Sequence, residues 1–385
     1  MRCVARGAVG ASLWVGLACH GIAGVEDVTY SGESQDGCAS YCSTLKEACP
    51  GDVAVYEDDE ICAKVCKIFK AGTPSRPQGN TLACRAAQAD IALTFNSDLS
   101  ENRSNCEAAG PGGADQCTIY PSTPNCEGYC TIYMAACTNT KEWGFNTFEQ
   151  CTSRCAAFPY SGTYTAAEGQ KGDTLACRLH HATLATADPD NNCESAGVRP
   201  SGDCLGTGDP SCDDYCRVNE VACSEDYAVY ESRQQCKAVC NALRKGDRKL
   251  DTGGQDTVAC RSYHSYFALM GAPTPHCSHS GPAGDGVCTD DPEHPNCISF
   301  CALFEAGCSD QYADAYGGDD ELCVTECETL DDASVEGGNL YSVDAAQEGN
   351  TLKCRTLHAV RALTAPRSAD APRYCQAALG GDPCN

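Results

Sequence analysis

Histidine is the residue type whose placement in this chain could do chemistry. His181, His264 and His358 each stand four residues after a cysteine, where the first of four related segments has Gln88. On a helix, positions i and i+4 share a face, so each imidazole lies one turn from a sulfur. An imidazole there can ligate a metal or haem iron, or fill a half-buried position beside a disulfide and bond to backbone. Gln88, a poor transition-metal ligand, favours the second use. The sharpest metal-binding set is His264, His276 and His279, because imidazoles suit zinc or copper. His276 and His279 fall in a stretch read as a loop, and no fourth ligand is legible. The arginine after each of the same cysteines (Arg85, Arg178, Arg261, Arg355) is expected to pair with a carboxylate rather than bind an anionic ligand.

Other chemistries find less support. There is no Cys-x-x-Cys-His haem-attachment motif and no Cys-x-x-Cys redox or zinc motif. Asp188-Pro189-Asp190-Asn191-Asn192 has the spacing that opens a calcium loop, yet Cys193 stands where glycine is needed and Arg199 where a bidentate glutamate is needed. Glu57-Asp58-Asp59-Glu60 and Asp319-Asp320-Glu321 read as helix starts, where negative charge suits the helix dipole. Gly-x-Ser-x-Gly, His-Glu-x-x-His and phosphate-loop motifs are all missing, so the chain is expected not to be an enzyme and to carry no cofactor.

The elements that must position these residues come from a repeat. Asn80-Thr81-Leu82-Ala83-Cys84-Arg85 returns at Asp173–Arg178, Asp256–Arg261 and Asn350–Arg355. Each copy predicts a helix start with Asn or Asp as N-cap. In the first copy Leu82, Ala86, Ala89 and Leu93 follow on one face. Eight cysteines keep the same order in each segment; in the first they are Cys38, Cys42, Cys49, Cys62, Cys66, Cys84, Cys106 and Cys117. The first three sit at i, i+4 and i+11, a single helical stripe. Asn125, Ser211 and Asn296 are expected caps for that helix, with Gly37 in the first segment. Tyr41, Tyr129, Tyr215 and Phe300, just before the second cysteine, should pack beside disulfides. The fourth and fifth cysteines, again i and i+4, give a second helix, with capping-box spacing in Asn146/Glu149 and Ser232/Gln235. The predicted fold is mainly α: four tandem disulfide-rich units, each of about three short helices plus a Cys-closed loop. The segments are 1–23 (export signal), 24–118, 119–205, 206–289 and 290–385.

Cysteine makes up 34 of 385 residues, a density that fits an oxidising compartment. The net charge of −26 argues against nucleic acid as partner. Past the N-terminus no apolar run is long enough to span a membrane. Arg2, Arg6 and the apolar stretch Ala8–Ala18 read as an export signal. Gly16-Leu17-Ala18-Cys19 resembles the lipobox of bacterial lipoproteins, which implies lipidation at Cys19, with Gly16 where that box prefers Leu or Val; the other reading is ordinary cleavage near Ala23. Asn102-Arg103-Ser104 is a glycosylation sequon in spacing. The segments between helices two and three, such as Gly72–Pro77 and Asp331–Glu348, vary most and are the natural binding loops. The short linkers between units, each containing proline, predict semi-rigid spacing.

Two Cys-x-x-x-Cys helices in succession resemble the alpha-hairpinin arrangement, over about 30 residues of each segment. That resemblance implies Cys38–Cys66 and Cys42–Cys62. Cys49 is then left for Cys84 and Cys106 for Cys117, one arrangement among the roughly one hundred that eight cysteines allow. The repeated Cys-Arg stretch and His276-Cys277-Ser278-His279 also resemble Cys-rich repeats of secreted proteins and lipoproteins of myxobacteria-like bacteria. The expected function is a secreted or surface-anchored interaction or structural module, extracellular or at the outer membrane. Its partner would be a protein or a surface glycan, with membrane contact only through the lipid anchor. Two alternatives are an extracellular metal- or haem-binding protein using the helix-three histidines, and a secreted inhibitor or toxin of hairpinin type.

Overall fold

The structure is a computed structural model that describes residues 34–95, 99–137, 144–160, 163–249, 251, 253–291, 296–330, 340–365 and 369–385. The expected signal and Cys19 lie outside these residues. Seventeen α-helices and no strands occur among the described residues, with two isolated bridges near Lys70 and Thr73. Ser34–Asn385 is one compact unit.

Each repeat contributes four helices. The first are Ser34–Ala48, Cys126–Ala136, Cys212–Ala222 and Cys297–Gly307; the second are Asp59–Cys66, Phe148–Cys155, Arg233–Ala242 and Asp320–Cys327. The third are Leu82–Thr94, Leu175–Ala185, Val258–Leu269 and Leu352–Thr364. The fourth, which takes the place of the expected Cys-closed loop, are Leu99–Ala109, Pro189–Ala196, Pro273–His279 and Ala371–Ala378. The fourth repeat adds Ser309–Tyr316.

Sixteen disulfides join all the cysteines from Cys38 to Cys384, and one connectivity recurs four times. Cys38–Cys66 and Cys42–Cys62 staple helix one to helix two, with Cα separations of 5.7 and 6.0 Å. The other two pairings differ from expectation. Cys49 bonds Cys106, and Cys84 bonds Cys117. The cause is the fourth helix: it carries Cys106 back against the C-terminal end of helix one, so the N-terminal turn of helix three, with Cys84, meets the following loop instead. The same exchange holds for Cys137–Cys193 with Cys177–Cys204, and for Cys308–Cys375 with Cys354–Cys384.

Helix starts shift by one residue from the sequence expectation. Thr81, Thr174, Thr257 and Thr351, not the preceding Asn or Asp, cap the third helices by accepting from the N–H of the cysteine three residues on. Thr147, not Asn146, caps the second helix of repeat two, while Ser232 caps that of repeat three as expected. Of the first helices only that at Ser211 has a side-chain cap among the expected three; Asn125 and Asn296 make none, and in repeat one the helix begins at Ser34, before Gly37. Asp58 and Asp319 cap their helices, so the acidic runs are explained by backbone N–H groups.

The displaced Asn and Asp side chains tie one repeat to the next. Asn80 donates to Thr131 Oγ1 at 2.7 Å. Asp173 accepts from Tyr266 at 2.9 Å and Arg248 at 2.6 Å, both in the third repeat. Asp256 accepts from Ser299 at 2.9 Å, in the fourth. Asn350 turns back and accepts from Arg355. Close approach at the first junction requires Gly128, where a Cβ would lie 2.4 Å from the carbonyl oxygens of Pro111 and Gly112. The buried apolar clusters follow the same logic: one runs from Cys38 into Leu269, and another joins Tyr215 to Ala378.

The variable loops serve these junctions as well. In repeat two Ala166 N–H donates to Ala54 O, and Tyr164 is buried; in repeat four Val343 N–H donates to Ala228 O, and Tyr341 is buried. Tyr341 N–H also donates to the buried Asp285 carboxylate, whose Oδ1 has no hydrogen-bond partner. Burial pushes Asp285 up to about 6, against the opposing pull of Tyr341 N–H, Lys353 and the side chains of Ser278 and Asn296. Its folded pKa exceeds the unfolded value of ~3.9, so the stability it contributes is present at acid pH and is lost as pH rises through about 6. Asp285→Asn keeps an acceptor for Tyr341 and tolerates the left-handed φ of 36° found there. At pH 7.5 it should stabilise the fold by ~2–3 kcal/mol, converging on wild type near pH 4. Urea unfolding at the two pH values measures this; equal midpoints for variant and wild type at pH 7.5 would contradict it.

Candidate functional site

The third helix builds its surroundings the same way in every repeat. The arginine after its cysteine is fully buried in repeats one to three. Arg85 donates to Gly110 O and Pro111 O and lies 3.6 Å over the Phe69 ring, with no carboxylate in that set. Arg178 pairs with Asp173 at 2.9 Å and Arg261 with Asp256 at 2.7 Å, each also donating to two carbonyls that follow the fourth helix. These arginines are consumed by the fold and offer nothing to an external anion. The tyrosines before the second cysteine close the same corner: Tyr41 donates to Ala109 O and Tyr129 to Ala196 O.

One turn further on, the residue at the histidine position faces the residue that precedes the fourth-helix cysteine. His181 Nδ1 is 2.9 Å from Asn192 Oδ1. The His358 ring lies 5.8 Å from that of Tyr374. In repeat three this partner is His276, with Nδ1 2.9 Å from His264 Nδ1. His279, two residues past Cys277, completes a group whose ligand nitrogens all lie within 4.8 Å of one another. The corresponding positions hold Ser195 in repeat two and Ala377 in repeat four. The structure therefore brings His264, His276 and His279 together. It corrects one point: His276 and His279 sit on the helix Pro273–His279, not in a loop.

The environment keeps these imidazoles neutral. Burial pushes His264 down to about 3 and His279 to about 4, with neighbouring imidazoles adding to both. Burial also lowers His276. His264 Nε2 and His279 Nδ1 are buried without a hydrogen-bond partner. Phe267 stacks on His276 at 5.0 Å, and Tyr263 meets His264 edge-on at 5.6 Å. Arg199, from the preceding repeat, donates to Tyr263 Oη.

The other candidates resolve into structure. The sulfurs beside His181, His264 and His358 belong to disulfides, so no thiolate is present for a metal. Asp188 caps a helix through Asn191 N–H, which accounts for the calcium-like spacing. Asn102 of the sequon is buried and donates to Ala48 O. His180, which sequence reasoning passed over, is buried and pushed down to about 4 by burial and by His181.

Residues 208–291 match the sequence model of the BfoA family C-terminal domain, a span that holds all three clustered histidines. No curated protein and no solved structure matches the chain. The third repeat is thus similar to that family's C-terminal domain.

Proposed function

We propose that the chain is an exported, non-catalytic repeat protein, secreted or held at the cell surface, which engages a protein or glycan partner through the face where its first and second repeats meet. The observation that carries export is the disulfide set: every cysteine from Cys38 to Cys384 is paired, a state that a reducing cytosol does not sustain. No helix among the described residues is long and apolar enough to cross a membrane.

Two features support the junction of the first and second repeats as the contact face. The first repeat's loop between helices two and three, residues 71–78, is exposed throughout, whereas Tyr164 and Tyr341 in the corresponding loops are buried. Beside it runs a groove lined by Ile68, Lys70, Asn80, Ile119, Met134 and Phe148, with Ile119 64% and Phe148 37% exposed. Exposed apolar side chains gathered beside a polar loop mark a protein or ligand contact. The test is capture of surface components by the immobilised oxidised chain. Ile119→Asp combined with Phe148→Asp should reduce capture at least ~10-fold, as expected when central apolar contacts are lost. Undiminished capture by that variant would overturn the assignment.

A further inference from the structure

We propose that His264, His276 and His279 bind one borderline divalent transition ion, zinc or copper, through three imidazole nitrogens, with a fourth position open at the half-buried His276. The inference goes beyond the display role and does not depend on it.

Geometry carries the argument. Two ligands ~2.1 Å from one ion at a tetrahedral angle lie about 3.4 Å apart, and at a right angle about 3.0 Å apart. The His264–His276 nitrogens, at 2.9 Å, already have nearly the right-angle spacing. The widest separation within the set, at most 4.8 Å, closes to the tetrahedral value with a shift of ~1.4 Å or less. One buried ring nitrogen of the set, His279 Nδ1, has no partner in the protein and is free to turn to the same ion as His264 Nδ1 and His276 Nδ1. Such a group ordinarily costs stability, and a cluster that keeps one is explained by a ligand.

The frame is held independently of any ion. Cys260–Cys288 fixes the start of the helix that bears His264, and Cys223–Cys277 fixes the helix that bears His276 and His279. Because those sulfurs are oxidised, the donor set is nitrogen alone, which selects against hard oxygen-seeking ions such as calcium and magnesium. Repeat two offers Asn192 and Ser195 at the two fourth-helix positions and repeat four offers Tyr374 and Ala377, so only the third repeat gathers three imidazoles on this shared frame.

The test uses the untagged, oxidised full chain after treatment with a chelator. Zinc and copper are titrated separately in competition with a chromophoric chelator, and cobalt is added to read its visible ligand-field bands. One ion per chain is expected, with cobalt bands typical of four-coordination. His276→Asn and His279→Ser borrow side chains that the same frame holds in repeat two. Each should weaken binding by more than the ~100-fold that outer-shell changes reach, while leaving the metal-free melting temperature unchanged. His358→Gln should leave affinity unchanged. Absence of one-to-one binding by either ion, or equal affinity in wild type and both ligand variants, would overturn the proposal.

Discussion

Asp173→Ala is expected to destabilise the protein by about 3–5 kcal/mol, the loss that follows when one partner of a buried ion pair is removed. Its carboxylate is buried and holds three groups at once: Arg178 of its own repeat, and Arg248 and Tyr266 of the next. Arg248 retains some exposure and can turn outward. Arg178 cannot, because its guanidinium is fully buried beneath the Phe158 ring at 4.2 Å. The variant therefore leaves the Arg178 charge buried with carbonyl acceptors but no counter-ion, and the Tyr266 phenol without its acceptor. Asp173→Asn keeps an acceptor oxygen but removes the charge, so it should fall between the variant and wild type. Urea midpoints measure the series; an alanine variant within ~0.5 kcal/mol of wild type would show that the junction contributes nothing.

Reduction should abolish the fold outright. Loop closure by a cross-link spanning about 20–30 residues stabilises by ~3–4 kcal/mol in the chain-entropy description, and each repeat holds three such links and a fourth that closes a longer loop. Even partly additive, these exceed what remains for a unit of this size, since whole domains are stable by only ~5–15 kcal/mol. Reduced and alkylated chain should lose its near-ultraviolet dichroism and its cooperative melt. Peptide mapping of unreduced chain should recover Cys49 linked to Cys106 and Cys84 linked to Cys117. Cooperative melting of the reduced chain would refute the first expectation, and recovery of Cys49 with Cys84 the second.

The cysteine order and the helical spacing of Cys38, Cys42 and Cys49 made the first three helices and the helix-hairpin staples legible. The fourth helix was not, because in three of the repeats its segment is only seven or eight residues long, as in that beginning Pro189-Asp190-Asn191-Asn192. A signal was present all the same: Pro189, Pro273 and Pro372 stand in the first turn, where a missing N–H costs nothing. Without that helix the last two disulfides could not be paired correctly. The cap shift has a similar cause, since Asn, Asp and Thr all suit an N-cap. Only the neighbouring repeat shows that Asp173 and Asp256 are needed elsewhere. Of the candidate site, the residues were legible from imidazole chemistry alone. The helix that places His276 and His279 opposite His264 was not, because that stretch read as a loop.

Tandem look-alikes run a standing risk during folding: a segment can dock on the wrong sibling. The carboxylate of Asp173 works against that error. The residue six past the helix-three cysteine is Tyr266 in the proper neighbour but Val360 in the fourth repeat. Docked there, Asp173 would lose the phenol that answers it and lie against hydrocarbon. At this junction, pairing with the wrong sibling would cost the desolvation of a carboxylate that the phenol no longer compensates.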